Sequence, residues 1–328
     1  MKRVTMDDVA REVGVSRMTV SYAFRDAPGV SAETKMRIID AAKRLGYRRD
    51  VIASLLASNR TNTVGLSLLD LSFEINAEIL YGLRDAAKRD GRRVFISAGE
   101  MERRDEPERL EDLLDVRADA VVLAGSLLPD AALLKYADRV PLVVVTRRVQ
   151  GVDSIAVDDH KGACLAVEHL VELGHRRIAH ISSPAWYPYT ARRDGYVDAM
   201  KAAGLSPRVL EAEFGQTPGA AAAALLLDSA EPPTAIFCQD QAALGVRDLC
   251  ASRGLHVPHD LSIVGFDDTH AASLPGIDLT SVTQQARLMG ELAAHRIERK
   301  LRNPALPTEQ TLLEPSLIVR GSVVAPNN

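Results

Sequence analysis

The first 25 residues carry apolar side chains at helical spacing. Met6, Val9 and Ala10 lie three and four positions apart, which predicts one buried face of a short helix. Gly14 interrupts this pattern where a turn is needed, and a second helix is predicted from about Arg17 to Phe24. The pattern therefore predicts two short helices joined by a tight turn.

Hydroxyl residues precede both predicted helices. Thr5 and Ser16 stand where side chains cap helix N-termini, and Asp7 and Asp8 favour the positive end of the first helix. Val15, Val20 and Phe24 can pack inward, which leaves a surface suited to contacts with phosphates and base edges. Because many helical hairpins with similar residues bind nothing, DNA binding is a hypothesis at this point. The outward residues are Arg17, Met18, Thr19, Ser21 and Tyr22.

Charge distribution strengthens that hypothesis. Residues 1–60 hold 12 Lys and Arg against 7 Asp and Glu, a net charge of +5, whereas the rest of the chain carries −9. A basic N-terminal segment on an acidic body is typical of a nucleic-acid module joined to another domain. A third helix is predicted from Ser31 to Leu45, with Met36, Ile39, Ala42 and Leu45 as its apolar stripe.

From Val64 onward, short β-rich runs alternate with helical patterns. This alternation predicts parallel sheets with helices on both faces, and the length of the region favours two similar halves with a cleft between them. Ligands of such sheets bind outside the carboxyl ends of the strands. The predicted strands are 64–70, 93–98, 120–125, 141–146, 177–182, 234–239 and 261–266. The predicted helices include 77–89, 163–173, 195–203, 220–227 and 241–252.

Composition excludes several protein classes. The chain has 328 residues, 46% hydrophobic and 26% charged, which is ordinary for a soluble globular protein of two or three domains. No apolar run is long enough to span a bilayer, and the N-terminus lacks the hydrophobic core of a signal peptide, so a cytoplasmic protein without a membrane partner is expected. Three cysteines without a CxxC pair argue against disulfides or zinc and are expected to be buried.

Enzyme motifs are absent from the sequence. It contains no dinucleotide-binding, P-loop or nucleophile-elbow pattern. The histidines His160, His169, His175 and His180 are spaced unlike metal ligands, so surface positions or satisfied core positions are expected for them. No enzyme activity, metal or cofactor is therefore expected. A sugar-binding transport protein is an alternative, which the N-terminal helix pair and the lack of a signal peptide oppose.

The chain resembles the lac repressor/galactose repressor family of bacterial transcription regulators along nearly its whole length. The N-terminal segment VTMDDVAREVGVSRMTVSYAF is the most specific match. Later matches are VEHLVELGHRRIAHIS, RRDGY, VPHDLSIVGFDD, LTSVTQ and SLIVRGS. The resemblance implies an α/β fold in which a helix-turn-helix headpiece precedes a core of two subdomains with parallel sheets, like those of periplasmic sugar-binding proteins.

The implied domain boundaries follow the family. The headpiece is expected at 1–48, the hinge helix and linker at 49–61, and the effector-binding core at 62–328. Within the core, the N-subdomain is expected at about 62–160 and 290–320, and the C-subdomain at about 161–289 and 321–328, with crossovers near residues 160, 290 and 320.

The resemblance also implies DNA-contacting residues. Arg17, Met18 and Tyr22 are expected to read bases in the major groove, with Arg17 on guanine and the other two near a thymine methyl. Backbone contacts are expected at Thr5, Ser16, Thr19 and Ser21, although capping or packing is the alternative role of each hydroxyl. Family members bind near-palindromic operators as dimers, so a homodimer is expected. No heptad repeat follows SLIVRGSVVAPNN, which favours a dimer over a coiled-coil tetramer.

The hinge departs from its family. Leu56 occupies the position that wedges between base pairs in the minor groove, where insertion kinks the duplex. Arg49 and Asp50 replace the usual Pro and Asn before the hinge, which removes a rigid helix start and places a negative charge near phosphates. A Leu in an apolar run is otherwise more often a core residue.

The effector site is implied by further matching positions. Arg192 and Asp267 are expected to hold ligand hydroxyls through charge-assisted bonds, with a structural ion pair as the alternative. The other expected effector residues are Phe73, Thr146, Trp186, Phe214, Gln239 and Gln284. Trp186 is equally compatible with covering a subdomain edge.

The effector class is less defined than its site. Thr146 stands where family members often have Asp, and Arg147 and Arg148 follow it. A sugar or sugar derivative is the first hypothesis, the added cations suggest a sugar acid or sugar phosphate, and a nucleobase is the alternative. The expected function is a transcriptional regulator, a repressor in its most common form, whose operator affinity depends on this small molecule.

Overall fold

The computed structural model describes residues 4–25, 28–47, 61–100, 104–184, 187 and 190–327. The chain divides into two compact units, Met1–Thr61 and Asn62–Asn328. The predicted hinge and its Leu56 lie outside the described residues, so their roles stay predictions. Among the described helices, none is long and apolar enough to cross a membrane.

The N-terminal unit contains three helices, α1 (Met6–Val13), α2 (Arg17–Arg25) and α3 (Ala32–Leu45), of which α1 and α3 are capped at both ends. The Thr5 hydroxyl accepts from the backbone N–H of Asp8 at 3.3 Å, and the Asp8 carboxylate accepts from the N–H of Thr5 at 2.9 Å. This reciprocal capping box satisfies two N–H groups at the start of α1. Gly14 ends α1 in the left-handed conformation, at φ 74°, which an L side chain rarely adopts. The predicted helix-turn-helix is therefore present.

The headpiece core confirms most of the predicted pattern. Val9, Ala10 and Val20 are buried, and Val15 and Phe24 pack against them. The predicted stripe of α3 is partly wrong, because Met36 is 66% exposed. The inward face instead consists of Ile38, Ala41, Ala42 and Leu45. This face keeps the three- and four-residue spacing of a helix but begins at Ile38 instead of Met36.

The second unit alternates strands and helices. In chain order its elements are β1 (Thr63–Leu68), α4 (Glu74–Arg89), β2 (Arg93–Ala98), α5 (Glu106–Asp115), β3 (Ala120–Ala124), α6 (Asp130–Ala137), β4 (Leu142–Val145), β5 (Asp153–Val157), α7 (Asp159–Glu172), β6 (Ile178–Ser182), α8 (Ala191–Ala202), β7 (Val209–Glu211), α9 (Gln216–Leu227), β8 (Ala235–Phe237), α10 (Asp240–Ser252), β9 (Ser262–Asp267), β10 (Thr280–Thr283), α11 (Ala286–Arg302), β11 (Gln310–Leu313) and β12 (Ser316–Ile318).

These strands form two sheets with matching topology. The first has the order β2-β1-β3-β4-β5-β11 and the second has the order β7-β6-β8-β9-β10-β12. Neighbouring strands are parallel, except that β12 runs antiparallel to β10. In each sheet the first strand in sequence lies between the second and the third, so the strand order reverses there. Each subdomain thus provides a crevice at the carboxyl ends of its strands, as the alternation predicted.

The chain passes between the subdomains at three places. It crosses between β5 and α7, between β10 and α11, and between β11 and β12. Helix α7 packs on the second sheet and α11 packs on α4 and the first sheet. The third crossing lies between Leu313 and Ser316, a few residues before the predicted position near 320, because Ser316–Ile318 pairs with β10 of the second sheet.

Candidate functional site

A cavity lies where the carboxyl ends of both sheets face each other. Strands β1, β3 and β4 end at its first wall, and β6, β8 and β9 end at its second wall. The residues that line it include seven of the eight positions expected to bind effector: Phe73, Thr146, Arg192, Phe214, Gln239, Asp267 and Gln284. The eighth, Trp186, lies outside the described residues. The structure therefore brings together side chains up to 211 positions apart in sequence.

Arg192 is held at the start of α8 by a carboxylate that the sequence reading missed. Its Nη2 lies 2.9 Å from Oδ1 of Asp159, and only 4.0 Å separates the same atom from Oδ1 of Asp267. The guanidinium carbon sits 3.5 Å from the ring centroid of Phe266, a cation–π arrangement that also fixes its plane. The pairing of Arg192 with Asp267 that was expected as an alternative is therefore secondary to its pairing with Asp159.

Asp267 ends β9 with its carboxylate in the cavity wall. The side chain is 4% exposed, Gln284 donates to Oδ1 through Nε2, and Gln239 donates to the same carboxylate. Burial, with a smaller effect of the Asp240 carboxylate, raises the pKa of Asp267 to about 7, although Arg192 and the bonds from Gln239 and Gln284 oppose the rise. Asp267 is thus an acceptor whose charge responds to its surroundings near neutral pH.

Replacing Asp267 by Asn is expected to stabilise the ligand-free protein at pH 8. In the folded protein Asp267 keeps its proton up to about pH 7, whereas the ordinary pKa of an Asp side chain is 3.8. Ionisation of Asp267 therefore opposes folding increasingly as the pH rises between these two values. Asn cannot ionise and still accepts from Gln284, which favours a gain of roughly 2–4 kcal/mol at pH 8. Thermal unfolding at pH 8 and pH 5 measures the gain in stability, which should be smaller at pH 5.

Asp268→Asn is the matched control for that prediction. Asp268 is the next residue, and its Oδ1 lies 2.7 Å from Nη2 of Arg320. Removing this carboxylate breaks an ion pair, so Asp268→Asn should lower the melting temperature at pH 8. Equal effects of both variants, or a gain for Asp267→Asn that does not depend on pH, would contradict the assigned burial penalty.

Aromatic rings form the apolar wall of the cavity and span the cleft. Phe73, which precedes α4, meets Phe214 of the second subdomain edge-to-face with centroids 5.6 Å apart. Tyr187 meets the same Phe214 ring at 4.8 Å. Aromatic faces of this kind suit the C–H faces of sugars or a flat base. The structure therefore adds Tyr187, the residue after Trp186, to the expected residues of the wall.

Two backbone contacts also join the subdomains beside the cavity. Nε2 of Gln241 donates to the carbonyl of Ser72 at 2.7 Å. The carboxylate of Glu74 accepts from the backbone N–H of His270. Both bonds pair the loop and start of α4 with the second subdomain, so any change in the separation of the subdomains breaks or makes them.

The backbone is strained at two of the strand ends. Thr146 has φ 82° and Asp267 has φ 129°, in a region that non-glycine residues rarely adopt. Such conformations cost of order 1–3 kcal/mol each and concentrate at functional sites. Their occurrence at two predicted effector positions fits a wall shaped for ligand contact.

The cations that suggested an acidic effector do not line the cavity. The Nη1 atom of Arg147 lies 2.8 Å from Asp130, and its Nη2 donates to the carbonyl of Leu128. Arg148 is exposed and absent from the cavity wall. These two cations therefore give no support to a sugar acid or sugar phosphate as effector, because the polypeptide turns after Thr146 and directs Arg147 toward α6.

The candidate DNA surface lies on α2. Arg17 and Met18 are exposed, Met18 by 63%, and Tyr22 is half-buried one turn after Met18 on the same face. Ser16 accepts from the N–H of Thr19 at 3.1 Å, and the two hydroxyls lie 2.8 Å apart. Capping of α1 and α2 by Thr5 and Ser16 is therefore confirmed, and their contact with DNA stays a prediction.

Comparison with known proteins decides the family. Residues 5–50 match the model of bacterial regulatory proteins of the lacI family, and residues 167–323 match that of a periplasmic binding protein-like domain. The chain is 32% identical over 299 residues to catabolite control protein A of Priestia megaterium. The aligned region covers 88% of this chain and 90% of the relative. The chain belongs to the LacI family of bacterial regulatory proteins.

Solved structures of LacI-family regulators show the same architecture. The lac repressor dimer bound to operator and the anti-inducer ONPF has a TM-score of 0.88 at 28% identity, over 99% of this chain and 100% of that one. The transcriptional regulator CelR in complex with cellobiose has a TM-score of 0.72 at 29% identity, over 98% of this chain and 100% of that one. This LacI-family chain is a DNA-binding transcriptional regulator with a ligand-binding domain, and the family's members are regulators rather than enzymes.

Proposed function

We propose that this LacI-family regulator is a homodimeric repressor that responds to a neutral, hydroxylated effector, most simply a carbohydrate. The pairing of Arg192 with Asp159 carries the proposal, since this buried cation of the cavity wall already has a carboxylate partner. An anionic effector would have to displace Asp159, whereas a neutral one can bond to both groups through adjacent hydroxyls.

The remaining cavity chemistry supports the same effector class. Its acidic side chains Asp159, Glu213 and Asp267 outnumber the basic Arg192 and Arg193. Carboxylate and amide oxygens accept from hydroxyls, and the rings of Phe73 and Phe214 offer apolar contact to a pyranose face. The similarity to a regulator solved with cellobiose points in this direction.

A nucleobase is the second candidate effector. The amides of Gln239 and Gln284 can bond donors and acceptors of a planar ring, and the aromatic wall can stack on it. A thermal-shift panel of neutral sugars, sugar acids, sugar phosphates, nucleosides and nucleobases separates these classes. A true effector at 100 times its dissociation constant adds about 2.7 kcal/mol of stability. A shift by phosphorylated or acidic sugars alone would refute the neutral-effector proposal.

The proposed response is a shift between two core conformations. An effector acts only if its affinity differs between them, and its coupling to operator binding is reciprocal. The contacts of Gln241 with Ser72 and of Glu74 with His270 join the two subdomains beside the cavity, so they change when the cleft changes. Operator titrations with and without effector give the sign of the coupling, which distinguishes induction from corepression.

On the DNA side, we propose that α2 reads an operator half-site and that the dimer reads two related half-sites. Arg17 donates in pairs to guanine, and Met18 and Tyr22 contact thymine methyl groups. The hydroxyls of Thr5, Ser16, Thr19 and Ser21 position the helix on phosphates. Leu56 intercalates in the minor groove at the centre of the site. The similarity to the lac repressor dimer bound to operator supports this arrangement.

Arg17→Ala or Tyr22→Ala is expected to weaken binding to the cognate operator by roughly 1–3 kcal/mol, with less effect on random DNA. Each change removes a base contact and leaves the phosphate contacts of the headpiece in place. Fluorescence anisotropy titrations on an operator selected from random DNA, and on a scrambled duplex, measure both affinities.

Lys43→Ala is the charge-matched control for Arg17→Ala. Lys43 is exposed on α3, outside the recognition helix. The Lys43→Ala protein should lose a similar small amount of affinity for both duplexes, because only its long-range attraction to phosphates changes. If Arg17→Ala behaves like Lys43→Ala, Arg17 does not read bases.

A further inference from the structure

His180 is a buried histidine that lines the cavity, and none of the roles described above uses it. It lies in β6, is 2% exposed, and belongs to the set of residues that form the wall. Its ring stacks on Phe237 with centroids 4.8 Å apart and an interplanar angle of 20°, and it lies 5.1 Å from the ring of Tyr196. These two contacts hold the imidazole in one orientation.

The protonation state of His180 follows from its surroundings. Nδ1 lies 2.9 Å from the backbone carbonyl oxygen of Phe237, which can only accept, so Nδ1 carries a hydrogen. Burial, with smaller effects of the charges of Arg192 and Arg193, lowers the pKa of His180 to about 4, although the hydrogen bond to the Phe237 carbonyl opposes the fall. The ring is therefore neutral at physiological pH, with its lone pair on Nε2.

Nε2 is the one polar atom of the ring still able to bind. Within the described part of the chain, the hydrogen bond of His180 is made by Nδ1 alone. Nε2 is not sealed from solvent, so water can bond to it in the absence of effector and a donor of a bound effector can take that place. Neighbouring Arg192 cannot serve, because Asp159 and the Phe266 ring fix its guanidinium.

We propose that Nε2 of His180 accepts a hydrogen bond from a hydroxyl of the effector and thereby selects effectors that carry a donor at that position. The inference rests on the proposed effector role of the cavity and adds a specificity-determining residue to it. A carboxylate or phosphate at the same position would face a lone pair rather than a donor. The neutral imidazole therefore favours a hydroxyl group there and disfavours an anion.

Two variants with matched shapes test the proposal. His180→Leu removes the acceptor at similar volume, and His180→Gln keeps an amide oxygen that can accept. The probes are D-glucose, D-galactose, D-mannose, D-xylose and cellobiose, followed by the monodeoxy analogues of whichever sugar binds wild type. Calorimetry should show a roughly three- to tenfold affinity loss for His180→Leu and a partial recovery for His180→Gln. His169→Leu, at a half-buried position of α7 outside the cavity wall, should leave the affinity unchanged.

The monodeoxy analogues form a double-mutant cycle with His180→Leu. One analogue, which lacks the bonded hydroxyl, should bind wild type and His180→Leu equally, because the interaction is already absent. If every analogue still loses affinity in His180→Leu, or if His180→Leu binds the parent sugar as wild type does, the proposal is overturned. The variants' melting curves show whether each is folded before its affinity is interpreted.

Nitrogen-15 NMR of the imidazoles tests the premise without any sugar. Between pH 5 and pH 8, His180 should be a neutral ring protonated on Nδ1, and its Nε2 resonance should move when the binding sugar is added. A charged ring or a hydrogen on Nε2 overturns the proposal. If no sugar binds but adenosine, guanosine, cytidine or uridine does, the carbohydrate proposal fails, and the same NMR and affinity measurements with that nucleoside decide the role of His180.

Discussion

Arg192→Met should weaken effector binding by roughly 2–5 kcal/mol and make operator binding insensitive to the effector. The methionine chain can cover Phe266 in place of the guanidinium, which lies 3.5 Å from that ring, so the local packing is kept. The charge-assisted donors are lost, and Asp159 and Asp267 remain in the wall without a cation. The sugar that most stabilises wild type in the thermal-shift panel is the calorimetric probe.

Arg193→Met is the control, because both arginines line the cavity at neighbouring positions. Arg193 is half exposed and its Nη1 lies 3.4 Å from Glu211, so it is solvated and should change affinity by less than about 1 kcal/mol. If Arg192→Met binds the sugar as tightly as wild type and Asp267→Asn binds it more weakly, the ligand contacts the end of β9 and not Arg192. Full retention of binding in both variants would remove this cavity as the effector site.

Gly290→Ala should destabilise the core by roughly 2–4 kcal/mol, although alanine favours helices over glycine by about 1 kcal/mol. A Cβ atom at Gly290 in α11 would lie 2.1 Å from the carbonyl oxygen of Ile79 in α4. A Cβ atom at Gly82 in α4 would lie 2.0 Å from the carbonyl oxygen of Arg287 in α11. The two helices touch backbone to backbone, so an added methyl group must force them apart. Urea unfolding followed by circular dichroism measures the loss.

Gly276→Ala is the matched control, since a Cβ atom there meets nothing within 4 Å and the backbone needs no positive φ. It should be neutral or slightly stabilising, because alanine restricts the unfolded chain. Gly82→Ala combined with Gly290→Ala should cost less than the sum of the two, as one methyl already separates the helices. A neutral Gly290→Ala would show that α4 and α11 can separate freely.

The helix contact also matters for function. Helix α4 begins directly after Phe73, and α11 begins two residues after Gln284, so both helices start at the cavity wall. A ligand that moves either starting point moves a rigid pair of helices in the first subdomain. Gly290→Ala is therefore expected to alter effector response even at temperatures where the protein remains folded.

Strand β5 shows where the sequence pattern was insufficient. Residues Asp153–Val157 begin with Asp and Ser, which argue against a buried strand, yet every one of them is buried. Asp153 is tolerated because Arg296, 143 positions later, lies 2.6 Å from its Oδ1. Local propensity cannot reveal a partner that only the folded chain brings near. Strands with continuous apolar runs, such as β3 and β9, were predicted within one or two residues.

The same limit of local sequence patterns explains which residues of the cavity were predicted and which were not. Arg192, Asp267, Gln239 and Gln284 lie in motifs that the family resemblance could locate, and all of them line one cavity. Asp159 and His180 were missed, because nothing local distinguishes an N-terminal helix Asp or a strand His from a structural residue. Only the folded structure distinguishes them, through the 2.9 Å contact of Asp159 with Arg192 and the stacking of the His180 ring on Phe237 beside the cavity wall.

By itself, the sequence determined the helix-turn-helix with its caps, the two alternating halves, and the family, since these depend on short-range periodicity and contiguous motifs. The tertiary structure decided which charges meet. It directed Arg147 toward Asp130 and away from the cavity, and it paired Arg192 with Asp159 across 33 positions. Electrostatic partners depend on distance in space, and a one-dimensional pattern does not contain that distance, so the character of the effector site emerged only from the fold.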